Sequence, residues 1–148
     1  MSIGLGVVAV VVAVIMAARV RALDSGNELM REIALSIQEG AKAYLRRQMI
    51  TITVIAVLIC VLLAIFNGQW TAFGFVIGAV CSLAAGYVGM RVAVAANVRT
   101  TQAARRGAKP AMRVAFNDGA VTGLLVIGLA LLAVGVFYLS ARSAIGYE

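Results

Sequence analysis

The sequence has no histidine, one proline and two cysteines, and these shortages exclude several kinds of site. Cys60 and Cys81 both lie inside hydrophobic segments. Two thiols without histidine lack the remaining ligands of a metal centre, and a disulfide would be out of place there, so we interpret both as small packing residues. No nucleophile–base pair, glycine-rich phosphate loop or metal-ligand cluster appears. We therefore assign no catalytic, cofactor-binding or metal-binding residue to this sequence.

Charge is absent from four long hydrophobic runs. Hydrophobic residues make up 63% of the 148 residues and charged residues only 13%. A soluble domain cannot bury that much apolar surface, so the solvent for these runs must be lipid. Backbone groups in lipid must pair within their own segment, which favours helices over isolated strands. We predict an all-α, polytopic membrane protein, a single unit over residues 1–148 with transmembrane helices near 3–22, 49–66, 71–90 and 114–141.

The segment 25–48 carries much of the charge and separates the first two hydrophobic runs. Ser25 followed by Glu28 predicts a capping box, and hence a helix start at Ser25. An apolar stripe at helical spacing predicts an amphipathic helix; it consists of Leu29, Ile33, Ile37 and then Ala41 with Tyr44 or Leu45. This helix should continue into the second span, giving about 60 Å at 1.5 Å per residue, roughly twice the hydrocarbon thickness. Its first part must therefore project into water.

The third helix should also extend beyond the membrane on the same side. A tight turn at Asn67-Gly68-Gln69 should precede it. The helix is uncharged from its start near Thr71 to Met90 and then becomes basic without a helix breaker. Gly107 and Pro110 predict its end and the start of the fourth helix. We thus expect the second and third helices both to extend into the cytoplasm.

The basic residues that give the net charge of +7 are distributed as expected for a membrane protein with a fixed topology. Every lysine and arginine except Arg142 falls in the first or third connection or in the helix ends beside it. The positive-inside rule puts both connections in the cytoplasm and both termini outside, in a multi-pass protein of the cell (inner) membrane. This accounts for the basic charge without nucleic acid, which we exclude as a partner. No basic residue precedes the first hydrophobic run, so we expect a retained helix rather than a cleaved signal peptide.

Four acidic residues merit consideration as ligands or ion carriers. Asp24, Glu28 and Glu32 are spaced by four and would share one helix face, where they could hold Mg²⁺ with water. The alternative, which we favour, is a solvated face with Asp24 engaged in capping. Asp118 is the ionisable group nearest to the middle of a span, and we interpret it as a carboxylate near the start of the fourth helix, at interface depth.

Two further patterns leave alternatives open. A basic group could meet phosphate or lipid head groups, or could be ordinary charge at the membrane edge; it consists of Arg99, Arg105, Arg106 and Lys109. Gly74 with Gly78, and Gly119 with Gly123, form GxxxG spacings, which permit close helix contacts in a larger bundle. Ordinary glycine enrichment of membrane helices explains them equally well.

Three strings resemble the membrane-integral pyrophosphatases, pumps that couple pyrophosphate hydrolysis to export of H⁺ or Na⁺. They are QEGAKAYLRRQ at 38–48, GMRVAVAANVRTTQAA at 89–104 and AFNDGAVTGLLVIGLALL at 115–132. They occur in that family's order, and the resemblance covers nearly the whole chain. It implies the N-terminal four-helix fragment of a pyrophosphate-energised ion pump, with the proton as the expected ion. The position 117–118 matches the family only loosely.

The resemblance also implies what this stretch does not contain. In that family the aspartate-rich motifs that bind Mg-pyrophosphate, and the charged residues of the ion gate, lie on later helices. The resemblance therefore implies Mg²⁺ as cofactor without a site on this chain, and outer-ring helices that are inactive alone. Expected partners are the lipid bilayer and the remaining helices of the pump or a separately encoded partner; the family suggests a homodimer. The alternatives are a stand-alone small four-helix transporter, which would need an acidic residue inside a span, and an assembly subunit.

Overall fold

A computed structural model describes residues 2–145, and four helices account for nearly all of them. They are α1 (Ser2–Arg21), α2 (Glu28–Phe66), α3 (Gln69–Ala104) and α4 (Ala108–Ile145). No strand occurs within the described residues. All four helices are long and apolar enough to cross a membrane. The all-α membrane architecture is confirmed, while the limits of the embedded segments stay predictions because helix bounds do not mark the bilayer.

The start of α2 differs from the prediction. Asn27, not Ser25, is the N-cap, and its side chain accepts a hydrogen bond from the Met30 backbone N–H at 2.9 Å. Gly26 adopts φ +80° and turns the chain between Ser25 and the helix. Ser25 therefore cannot cap α2, and its hydroxyl accepts a hydrogen bond from Arg31 Nε at 3.0 Å instead. The predicted capping box, and with it the helix start at Ser25, is wrong.

The other two turns lie where the glycines predict them. Gly68, with φ +88°, separates α2 from α3, and Gly107, with φ +121°, separates α3 from α4. An L side chain disfavours both conformations, which explains the use of glycine. Pro110 lies in the first turn of α4, where its missing N–H leaves no intrahelical bond unmade. The turn before α3 is short, and the helix begins at Gln69, two residues earlier than predicted.

The helices pack in the order α2, α3, α4, α1, with neighbours antiparallel. Residues near the start of α3 lie beside the end of α4, as Gly74 does beside Phe137, and α1 and α4 are related in the same way. α1 also contacts α3, whereas α2 contacts only α3 within residues 2–145. Ala13, Val92 and Val121 form the centre of the core, contributed by α1, α3 and α4.

Glycines make the closest helix contacts. A Cβ on Gly6 would lie 2.9 Å from the carbonyl oxygen of Gly128, and one on Gly128 would lie 3.0 Å from that of Gly6. Gly74 packs against an aromatic ring of α4 in the same way. In contrast, a Cβ added to Gly119 or Gly123 would have no atom within 4 Å. In the first predicted GxxxG pair only Gly74 makes a close contact inside the bundle. Both glycines of the second pair face outward.

Most of the predicted stripe on α2 faces α3. Leu45 is buried. Ile33 and Ile37 line a groove between α2 and α3, beside the buried Ala34. Leu29, at the start of the predicted stripe, is 63% exposed. After Leu45, no residue of α2 is buried within the described chain. The hydrophobic half of this helix therefore meets α3 along an open groove and leaves its other faces uncovered among the residues described.

Candidate functional site

Polar contacts between helices concentrate at one end of the bundle, where α1 and α3 end and α4 begins. Here Arg99 donates hydrogen bonds to three carbonyl oxygens, of Arg21 at 2.6 Å, Leu23 at 3.1 Å and Ala95 at 2.6 Å. The first two belong to the last turn of α1 and the turn after it, where carbonyls have no intrahelical partner. Arg99 therefore fastens the end of α1 to α3.

Asp24 makes a second connection in the turn after α1. Its Oδ1 accepts a hydrogen bond from the Gly26 N–H at 3.0 Å, and its Oδ2 accepts one from Gln102 Nε2 at 3.1 Å. The Gly26 N–H, followed by Gln102 and by the nearby charges of Arg31 and Arg106, lowers the pKa of this carboxyl group. Asp24 is thus held as a carboxylate that joins the turn to α3.

A cleft of about 320 Å³ lies beside these two connections, and we call it the basic cleft because of its charge. Its charged lining consists of four cations, Arg99, Arg106, Lys109 and Arg113, and one carboxylate, Asp24. Gln102 also lines it, and the Oε1 of that side chain is buried without a hydrogen-bond partner in the described chain. The basic cleft can therefore attract an anion.

The predicted basic group is only partly brought together. Arg99, Arg106 and Lys109 line the basic cleft, whereas Arg105 does not. The prediction missed Arg113, which joins them from α4. Its position one helical turn after Lys109 could have identified it, because residues four apart share a helix face.

The three acidic residues considered for Mg²⁺ do not share a helix face. Asp24 lies in the turn before α2, and only Glu28 and Glu32 are helical; all three are exposed. Within residues 2–145 no three His, Cys, Asp or Glu side chains are placed to hold a metal ion. The described residues therefore do not fit the Mg²⁺ that the resemblance implies.

Asp118 lies farther into α4 than expected. The helix begins at Ala108, so Asp118 is nearly three turns in, about 15 Å along the axis at 1.5 Å per residue. Its expected depth at the membrane interface stays a prediction, because the helix bounds do not mark the bilayer. Its Oδ1 is buried and finds no hydrogen-bond partner within the described residues.

Comparison with known proteins identifies the family. The family model described as inorganic H⁺ pyrophosphatase matches residues 7–147. The chain belongs to this family. Among curated pyrophosphatase relatives, the "K(+)-insensitive pyrophosphate-energized proton pump" of Methanosarcina mazei is 51% identical over 118 residues, covering 78% of this chain and 18% of that protein. Proton pump 2 of the same description from Moorella thermoacetica is 46% identical over 135 residues, covering 90% and 20%.

Relatives that move a different ion also match. The "K(+)-stimulated pyrophosphate-energized sodium pump" of Thermotoga maritima is 44% identical over 116 residues, covering 77% of this chain and 16% of that protein. The chain thus spans about a fifth of the length of the pyrophosphatases it matches. The resemblance drawn from the three sequence strings is confirmed, and the membrane location follows from the family together with the four apolar helices.

Proposed function

We propose that this chain supplies four bracing helices to a pyrophosphate-energised ion pump that moves protons. The proposal rests on one observation. This chain is 51% identical to a proton pump, and the matched region makes up only 18% of that pump's length. Pyrophosphate hydrolysis and ion passage would then take place on other polypeptide, joined to this chain or separate from it. That polypeptide would also bind the Mg²⁺, for which the described residues offer no ligand set.

The packing of the helices supports a bracing role. α1, α3 and α4 share a core, but the hydrophobic half of α2 has no buried residue in the described chain. The face of α4 that carries Gly119 and Gly123 is also open, and small residues at this spacing suit close approach of another helix. Both surfaces could receive further membrane helices of the pump or, in a homodimer, of a second copy.

The charge distribution supports an orientation. All lysines and arginines except Arg142 lie near the end of the bundle that holds the basic cleft or on the first half of α2. The positive-inside rule would place this end in the cytoplasm and both termini outside, in the inner membrane of the cell.

The test is a pair of chimaeras in which residues 7–147 replace the matching region of a relative. One uses the M. mazei proton pump and the other the T. maritima sodium pump. Pyrophosphate hydrolysis and ion uptake are measured in inverted membrane vesicles, with each unmodified pump as the matched control. The chain expressed alone in the same membranes completes the set.

We expect both chimaeras to hydrolyse pyrophosphate and each to keep the ion of its host pump, because bracing helices do not choose the ion. The chain alone should show no Mg²⁺-dependent hydrolysis. A sodium-pump chimaera that switches to protons would contradict the bracing role, and so would hydrolysis by the chain alone. Chimaeras that insert at normal levels but are inactive would contradict the proposed equivalence with the matched region.

A further inference from the structure

We propose that the basic cleft binds a phosphate group, presented either by an anionic lipid head group or by a soluble phosphate compound. The proposal concerns a site that a pump would not need for hydrolysis, and it does not depend on the proposed function. It rests on the charge and the helix start that meet in this cleft.

The charges of the basic cleft are not balanced by protein groups. Arg99 uses three of its donors on carbonyl oxygens, and Arg106 has the charge of Asp24 nearby. Lys109 and Arg113 make no hydrogen bond or ion pair with any described residue, and their spacing of four puts like charges on one helix face. Such a pair is unfavourable on its own, so a bound anion would relieve a repulsion as well as gain attraction.

The start of α4 adds backbone donors to the same cleft. The residue before it, Gly107, has no side chain to accept from the first free N–H groups, and the first turn holds no acidic residue. A helix start that is lined by cations and lacks a capping acceptor is complementary to a phosphate group. Lys109 and Pro110 of this first turn line the cleft, so the helix start and the cations border the same cavity.

The cations and the position of the basic cleft together favour a phosphate group. A phosphate monoester or a phospholipid head group can place negative oxygens on Lys109 and Arg113. The basic cleft lies where three membrane helices meet their polar turns, and basic pockets between such helices suit phospholipid head groups.

The experiment uses the full chain in two arms. In the first, nanodiscs of phosphatidylcholine contain increasing phosphatidic acid, and lipid retained by the protein is measured by native mass spectrometry. In the second, inorganic phosphate is titrated into the protein in neutral detergent and heat is recorded. The cleft variant is the double substitution Lys109→Gln and Arg113→Gln. The matched control is Arg46→Gln with Arg47→Gln, which removes the same charge from exposed positions on α2.

We expect the cleft variant to lose about tenfold or more in affinity for the probe that binds, since charge-assisted hydrogen bonds are lost. The control should lose less than about twofold. Binding of phosphatidic acid alone identifies a lipid head group as the source, and binding of inorganic phosphate identifies a soluble one. Equal losses in the two variants, or no binding of either probe by the wild-type chain, would overturn the proposal.

Lys109 and Arg113 are exposed, so we expect the cleft variant to fold, which circular dichroism checks. If it does not fold, Arg106→Gln serves as the second variant, because it removes another cation of the basic cleft that lies in the turn after α3. An unchanged affinity in that variant would overturn the proposal in the same way.

Discussion

α1 and α2 are both long hydrophobic helices, yet only one of them is built into the core. α1 meets α4 through Gly6 and Gly128, and its Ala13 is fully buried. α2 contacts only α3 in the described chain, and past Leu45 none of its residues is buried. The difference teaches that small residues, rather than hydrophobicity, decide which membrane helix packs closely, because lipid satisfies apolar side chains as well as protein does.

The largest effect should come from separating α1 from α4. In Gly128→Leu, the new Cβ would lie 2.9 Å from Val10 Cγ2 and 3.0 Å from the Gly6 carbonyl oxygen. Such overpacking should lower the free energy of unfolding by about 3 kcal/mol. The measurement is unfolding in mixed micelles by titration with sodium dodecyl sulfate. Gly123→Leu is the control, because it places the same side chain in open space; an equal loss there would refute the account.

A smaller effect should follow from loosening the end of α1. Arg99→Lys keeps the charge but loses the planar donors that reach the carbonyl oxygens of Arg21, Leu23 and Ala95. We expect a loss of about 1.5 kcal/mol and faster hydrogen exchange at the end of α1, with α2 unaffected. Arg105→Lys, six residues further along and outside the basic cleft, provides the comparison. If both substitutions cost the same, the Arg99 hydrogen bonds are not what holds α1.

The smallest effect should come from Asp24, in the turn between α1 and α2. The pKa of Asp24 is lowered, so its contribution is complete above the unfolded pKa of about 3.9 and is lost as pH falls through the lower folded value. Wild type should therefore unfold at a higher temperature than Asp24→Asn at pH 7, and the gap should narrow as pH falls below about 3.9. Glu39→Gln controls for the loss of one negative charge from an exposed position. A gap that persists unchanged at pH 3 would show that the carboxylate is not responsible.

Much of the fold could be predicted from local sequence, and the failures have physical causes. Gly68, Gly107 and Pro110 act on their own backbone, so the turns they mark were found. The start of α2 was missed because Gly26 bends the chain just after Ser25, and Asn27 then becomes the cap. Helix neighbours could not be predicted, since uncharged faces in lipid carry no alternation of polarity that distinguishes a buried side from an exposed one.

The basic cleft was predictable only in part for a related reason. Arg99, Arg106 and Lys109 are near one another in sequence, so a basic group was evident. Arg113 joins it because α4 starts at Ala108, and Asp24 joins it across a separation of 78 residues from Gln102. The charge balance of the cleft therefore depends on tertiary packing.

The unbroken length of α2 has a mechanical consequence. Its 39 residues form a rod about 58 Å long that runs from the Asn27 cap to Phe66, and its two buried residues lie in its first half. At the far end the rod is joined to α3 by the turn at Gly68. A tilt imposed on the first half of α2 would therefore be carried along the rod to the start of α3, which links the two ends of the bundle mechanically.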